Sequence, residues 1–252
     1  MLFKIKIIAL SSSFTPILSD TLFGAFCWSY KYKYGEDRLT EMLNSFRRSF
    51  IPPLVFSNVF PSGTLPFPLG INGNNDEQLF INTDTFKRLI SGQDKGTEIK
   101  AQENNNSGEF DFYLLSDLEE TVLSETVSLM LQLGLGGGKS VGKGAFKLLS
   151  FEEYSFEKPK NANAFIALSN FIPAKSDPIK GFYKTFVKYG KVDREFASSA
   201  SPYKKPLLFI KSGAMFYDGS PKEWYGSIID KVSPISDDII VNACTIAVPC
   251  TQ

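Results

Sequence analysis

The composition of this 252-residue chain is that of an ordinary globular protein, with 43% apolar and 21% charged residues. Its 27 basic and 27 acidic residues cancel, which excludes the basic balance typical of a free-standing nucleic-acid binder. The chain has no histidine, so it lacks the commonest general base and zinc ligand. Three cysteines without a C-x-x-C pair fit a reducing, cytoplasmic setting, and no stretch reaches the roughly 18 to 20 apolar residues of a membrane span.

The N-terminal part of the chain predicts one strand followed by two helices. Apolar residues alternate with lysines from Phe3 to Ile7, which is the period of a half-buried strand. Ser19 and Asp20 are suitable N-cap residues for a helix that continues through Tyr30, and N-capping is the role we expect for Asp20. A second helix is predicted after Gly35.

The middle of the chain predicts loops and then a second strand–helix–strand segment. Pro52–Leu69 carries five prolines, so we expect an extended loop on the surface. Gly92–Gly108 is polar and predicts another loop. The pattern then alternates as a strand over Phe110–Leu114, continues as a helix up to a glycine-rich segment, and alternates again over Ala145–Phe156.

Together these elements predict a βαββαβ ferredoxin-like unit whose second strand is poorly defined. The rest of the chain is rich in strand patterns, over residues 164–172, 181–188, 205–216 and 238–248. We therefore predict an α+β fold of tandem ferredoxin-like (RRM-like) units, of which the second is degraded and strand-rich. The predicted domains are residues 1–158, which contain the glycine-rich loop, and residues 159–252.

The glycine-rich segment Gly134–Gly144 has six glycines and two lysines in eleven residues. Glycine permits positive φ and close approach of the backbone to a ligand, and successive N–H groups together with lysines suit phosphate. The spacing matches neither a Walker A loop nor a G-x-G-x-x-G fingerprint, and the segment runs from a helix into a strand. A flexible linker is the simpler alternative, but the lack of acids from Gly134 to Ser150 favours a phosphate-binding loop.

Several segments resemble the RAMP proteins of CRISPR systems. Ser19–Ala25 is similar to the opening of the first helix in that family, and the helix, glycine-rich loop and strand around Gly134–Phe146 resemble its glycine-rich loop. Lys211–Phe216 and Ala243–Pro249 are similar to one branch, the type III-A (Csm) effector subunit that holds the 5′ tag of the CRISPR RNA. The resemblance covers both ends and the middle of the chain.

This resemblance implies a non-catalytic subunit that binds the 5′ tag of CRISPR RNA and needs no cofactor or metal. It implies two protein partners, the large polymerase-like effector subunit and the adjacent backbone RAMP subunit, and no membrane. The glycine-rich loop would wrap the tag, and residues near the first helix and in the second half would extend the RNA track. The predicted RNA-binding residues are Ser19, Thr21, Gly134, Gly136, Gly137, Gly138, Lys139, Ser140, Gly142, Lys143, Gly144, Lys188 and Lys211.

Two alternative functions stay open at this point. A RAMP endoribonuclease that processes CRISPR RNA would need acid–base groups other than histidine, such as Tyr30, Lys31 or Tyr32. A nucleotide-dependent enzyme would use the glycine-rich loop for its phosphates, which the spacing favours less.

The charged residues are unevenly distributed along the chain. Residues 109–126 contain six acids and no base, and residues 175–211 contain nine bases and three acids. We expect the acidic segment to be a docking face for a basic partner and the basic segment to face RNA or an acidic partner.

Overall fold

The computed structural model describes residues 1–10, 16–49, 52, 54–71, 80–92, 108–136, 144–192 and 203–252. The helices are α1 (Ser19–Tyr34), α2 (Glu36–Ser49), α3 (Thr83–Ile90) and α4 (Glu120–Gln132). The strands up to residue 153 are β1 (Leu2–Ala9), β2 (Leu54–Phe56), β3 (Phe60–Pro61), β4 (Thr64–Pro66), β5 (Phe80–Asn82), β6 (Glu109–Ser116) and β7 (Phe146–Glu153). The later strands are β8 (Ala164–Ala167), β9 (Gly181–Phe182), β10 (Thr185–Lys188), β11 (Leu207–Ile210), β12 (Met215–Tyr217), β13 (Trp224–Ile229) and β14 (Val241–Cys250).

The first sheet has the strand order of a ferredoxin-like unit. Its strands lie in the order β2-β6-β1-β7, and every neighbouring pair is antiparallel. With α1 after β1 and α4 after β6, this is the βαββαβ arrangement predicted from the sequence. The predicted fold class is therefore confirmed for this unit.

The two faces of the first sheet pack against different parts of the chain. Phe3, Ile5 and Ile7 of β1 are fully buried on the face that α1 and α4 cover, together with Phe112 of β6. Tyr113 points to the opposite face and belongs to a second hydrophobic core. Alternation of side chains along each strand produces this division, so both faces of the sheet are buried.

The proline-rich stretch Pro52–Leu69 is not a surface loop, and that expectation was wrong. It contains β2, β3 and β4, and Phe56, Phe60 and Leu65 are at most 2% exposed. Pro61 and Pro66 each end a very short strand, which is compatible with the missing amide hydrogen of proline. This stretch supplies the missing second strand of the ferredoxin-like unit as β2.

The second half of the chain forms a five-stranded antiparallel sheet in the order β13-β14-β8-β12-β9 and a separate antiparallel pair, β10 with β11. Within the described ranges after residue 144 there is no helix, which agrees with the predicted degraded, strand-rich unit. The second core combines residues of both halves, such as Val55 and Tyr113 with Ile166 and Ile246. The division into domains at residue 158 stays a prediction, since this core belongs to both parts.

Candidate nucleic-acid interface

The base of the glycine-rich loop is fixed by a short backbone contact. After α4 ends at Gln132, Gly134 and Gly136 adopt φ values of +82° and +76°. The Leu135 N–H then donates to the carbonyl oxygen of Gly144 over 2.8 Å, and the Leu135 side chain is fully buried. A Cβ on Gly144 would lie 2.0 Å from the Leu135 carbonyl oxygen, so only glycine fits there.

Most of the predicted loop ligands lie outside the described residues. Gly134, Gly136 and Gly144 are described, and their positive φ values are those expected of a loop that brings the backbone close to a ligand. The residues outside the described ranges are Gly137, Gly138, Lys139, Ser140, Gly142 and Lys143. Their contact with RNA stays a prediction.

The loop base and the N-terminal end of α1 lie at the same end of the first sheet, where β1 finishes and β7 begins. β1 ends beside the start of β7, because Ala9 pairs with Phe146 and the Leu10 N–H donates to the Ala145 carbonyl oxygen over 2.9 Å. α1 packs on one face of this sheet and contacts α4, and just before it the Ile17 carbonyl oxygen accepts from the Val59 N–H over 3.0 Å. The fold thus places the base of the glycine-rich loop and the start of α1 at the same end of this sheet.

Ser19 and Thr21 are held at the first turn of α1 by backbone contacts. The Ser19 side chain is 4% exposed, and its N–H donates to Asn58 Oδ1 over 3.1 Å. The partly exposed Thr21 donates its N–H to the Leu18 carbonyl oxygen over 2.9 Å. The residue in the N-cap position is Leu18, and no side chain caps the helix, so the expected capping by Ser19 or Asp20 is wrong.

Asp20 instead forms an ion pair with Lys188, a residue 168 positions away in the sequence. Lys188 Nζ donates to both carboxylate oxygens, over 2.6 and 2.7 Å, and the two side chains are only about one fifth exposed. Burial lowers the pKa of the nearby Lys204, and the charge of Asp20 opposes that effect. Asp20 therefore sits between two lysines, and much of the charge that Lys188 would offer to phosphate is already neutralised.

Lys211 reaches the same region from the second half of the chain. Its N–H donates to the Lys184 carbonyl oxygen over 2.9 Å, and its Nζ lies 5.7 Å from the centre of the Phe186 ring. The next residue, Ser212, accepts a hydrogen bond from Asn58 Nδ2 over 3.1 Å. Lys211 is therefore next in sequence to Ser212, which is linked to the Ser19 N–H through the side chain of Asn58.

Asn58 is the connecting residue that sequence reasoning missed. Its amide accepts from the Ser19 N–H and donates to Ser212, so one side chain joins α1 to the turn that follows β11. It is 6% exposed. The only sequence signal is a Ser-Asn pair between apolar residues of the proline-rich stretch, which the sequence predicts to be solvent-exposed.

Three of the six acids in the segment 109–126 pair with lysines within the fold. Asp111 is 1% exposed and pairs with Lys4 at 2.9 Å, and Glu109 pairs with Lys6 at 3.6 Å. Glu125 on α4 pairs with Lys33 at 2.6 Å. Because these carboxylates have partners inside the chain, the segment offers a basic partner less charge than its sequence suggests.

In the described part of the chain, no group of three or more acidic or cysteine side chains could hold a metal ion. Within the same residues, no helix has the length and apolar character needed to cross a membrane.

Comparison with protein families and with curated proteins finds no match to this sequence. Solved structures do match over the whole chain. A chain from the Csm3–Csm4 subcomplex of the type III-A CRISPR-Cas interference complex is 14% identical and covers 100% of both chains, with a TM-score of 0.71. A chain from the Csm1–Csm4 cassette in complex with pppApA is 15% identical and covers 100% of this chain and 98% of that one, with a TM-score of 0.63.

This chain has the fold of those CRISPR effector chains. At this level of identity the agreement concerns the fold, and it confirms the fold that the sequence resemblance implied.

Proposed function

We propose that this chain is a non-catalytic, RNA-binding subunit of a type III-A CRISPR effector and that it holds the 5′ tag of the CRISPR RNA. The observation that carries the proposal is the full-length agreement in fold with chains from two assemblies, Csm3–Csm4 and Csm1–Csm4. Csm4 is the component common to both, so this chain corresponds best to Csm4. Its partners would then be the large polymerase-like subunit on one side and a backbone RAMP subunit on the other.

The arrangement of residues at one end of the first sheet supports RNA binding. The base of the glycine-rich loop, between α4 and β7, is closed by the hydrogen bond from Leu135 to Gly144, and the N-terminal end of α1 lies at the same end of the sheet. Backbone N–H groups of a glycine-rich loop can approach phosphate and ribose oxygens without a Cβ in the way. Lys139 and Lys143 add two positive charges to this loop.

The placement of the candidate acid–base residues favours the non-catalytic role over the endoribonuclease. Tyr30 follows Ser19 by eleven residues along α1, a rise of about 17 Å toward the end of the helix remote from the glycine-rich loop. Tyr30 packs against Phe26, and Lys31 pairs with Glu36 at 3.4 Å. Tyr30 and Lys31 thus have contacts within the helices and lie away from the N-terminal end of α1.

The test is retention of CRISPR RNA in the complex assembled with its partners. Lys139→Ala combined with Lys143→Ala should reduce the bound RNA and the nuclease protection of the tag, and Gly137→Val should do so more strongly. Lys158→Ala with Lys160→Ala removes two exposed lysines after β7 and is the matched control. Equal RNA occupancy and equal tag protection in the loop variants and the control would refute the proposal.

A second measurement separates this function from RNA processing. The purified chain is incubated with repeat RNA and with target RNA, with and without a divalent metal. We expect no site-specific cleavage. Cleavage that persists through repeated purification would support the endoribonuclease instead.

A further inference from the structure

A shallow groove on the second sheet carries aromatic side chains that the fold leaves half exposed. It has a volume of about 320 Å³ and is lined by Leu69 and by residues 181–184, which follow one another at β9. Phe182 is 44% exposed and Tyr183 is 46% exposed. Two half-exposed aromatic rings that line the same groove suit a ligand that presents flat, apolar faces.

Both rings are held in place from one side. The Phe182 ring lies against Gly70, where a Cβ would come within 2.3 Å of it. Tyr183 stacks on the buried Phe216 with ring centres 5.3 Å apart and planes 16° apart. Rings already fixed in the unbound protein lose little conformational entropy when a ligand stacks on them.

The groove lies in a cationic part of the surface. Lys184 is one of its lining residues, and Lys180 Nζ lies 5.7 Å from the centre of the neighbouring Tyr217 ring. Residues 178–192 contain no acid and four lysines, of which Lys188 is paired with Asp20, so Lys180, Lys184 and Lys191 supply the charge. The nearby Asp177 accepts hydrogen bonds from the backbone N–H groups of Ala174 and Gly226, which hold it within the fold.

Hydrogen bonds connect this groove to the N-terminal end of α1. The Leu69 N–H donates to the Gly213 carbonyl oxygen over 2.9 Å, and Lys184 accepts from the Lys211 N–H. The intervening Ser212 is bonded to Asn58, which accepts from the Ser19 N–H. The groove and the predicted tag site are therefore joined by a short series of contacts through one turn.

We propose that this groove is a second RNA contact, in which an unpaired base stacks on Phe182 or Tyr183 while Lys184 faces the adjacent phosphate. The ligand class is single-stranded RNA with little preference for base, because every base has a π face. The inference rests on the proposed function only in taking RNA as the ligand. It concerns a different set of residues from the glycine-rich loop.

The test measures binding of the full-length chain to fluorescent oligouridylate and oligoadenylate of about ten nucleotides at low salt. Phe182→Leu combined with Tyr183→Leu should weaken the binding of both oligonucleotides by about tenfold or more, as expected for loss of base stacking. Tyr189→Leu changes an aromatic side chain that is 71% exposed outside the groove and is the matched control. Phe182→Trp should retain binding, and thermal melts should show that each variant is folded.

The outcomes separate this inference from the proposed function. A loss confined to the aromatic variant, with Lys139→Ala and Lys143→Ala unaffected, supports the groove and counts against the glycine-rich loop. Loss of RNA binding only in the lysine variant, or in neither variant, overturns the proposal that the groove binds RNA. An aromatic variant that binds RNA normally but no longer joins its partner subunits would identify the groove as a protein interface and overturn the inference.

Discussion

Substitutions at the ion pair between Asp20 and Lys188 should lower the stability of the protein by different amounts. It joins the first turn of α1 to β10, at contacts of 2.6 and 2.7 Å between side chains 20% and 22% exposed. Exposed ion pairs contribute about 0.2–1 kcal/mol, and breaking a fully buried pair costs about 3–5 kcal/mol. For this intermediate burial we expect a loss of about 1–3 kcal/mol in the free energy of unfolding.

The two single substitutions should not be equivalent. Asp20→Asn leaves Lys188 and Lys204 near one another without the carboxylate, and burial already lowers the pKa of Lys204. Lys188→Met leaves Asp20 with Lys204 still nearby. We therefore expect Asp20→Asn to destabilise the protein more than Lys188→Met, and the double variant to lose less than the sum of the two.

Urea unfolding followed by tryptophan fluorescence provides the measurement, since Trp28 lies on α1 itself. The matched control is the pair Lys33–Glu125, which is equally short at 2.6 Å but has side chains 32% and 56% exposed. Its coupling should be smaller and should fall further when salt is added. The reasoning fails if Lys188→Met is the more harmful substitution, or if both pairs show the same coupling.

Three further predictions concern glycine, cysteine and asparagine residues. Gly144→Ala should cost clearly more stability than Gly108→Ala, since both have positive φ but only Gly144 faces a backbone oxygen at 2.0 Å; equal losses would contradict this. Burial raises the pKa of Cys250 from 9.0 to about 12. Alkylation of this thiol at pH 8 should therefore be about 1,000-fold slower in the folded protein than in the unfolded chain. The contribution of the thiol to stability should be lost as the pH rises from about 9 through 12. Rapid alkylation of Cys250 in the folded protein would refute this prediction. Asn58→Ala should lower the free energy of unfolding in urea by about 2–3 kcal/mol, because it leaves buried groups without their hydrogen-bond partner. Asn161→Ala, at an exposed position, should lower it very little, and similar losses in the two variants would count against the bridging role of Asn58.

The first unit of the fold could be predicted because its signals are local. The strands β1 and β6 and the helix between Ser19 and Tyr34 follow from residue patterns within each segment, such as the alternation of apolar residues and lysines in β1. The proline-rich stretch was misread because its strands are only two or three residues long. Their burial comes from distant partners, as when Asn242 Nδ2 donates to the Leu54 carbonyl oxygen over 2.6 Å.

The candidate site was predictable only in part for the same reason. Glycine density identified the loop, and the positive φ of Gly134, Gly136 and Gly144 agrees with that reasoning. The partner of Asp20 lies 168 residues away, and no local pattern indicates such a pairing. β13 was missed altogether, since Trp224–Ile229 is short and Gly226 interrupts its pattern at φ +114°.

The central position of β14 has a consequence for how the chain folds during synthesis. All strands of the ferredoxin-like sheet have been made by residue 153, but the back face of that sheet packs partly against residues 241–250. β14 also lies between β8 and β13, so the second sheet cannot join its halves until this segment emerges from the ribosome. A nascent chain must therefore keep an apolar face exposed from the time residue 153 is made until residues 241–250 are made, a period in which aggregation or chaperone capture competes with folding.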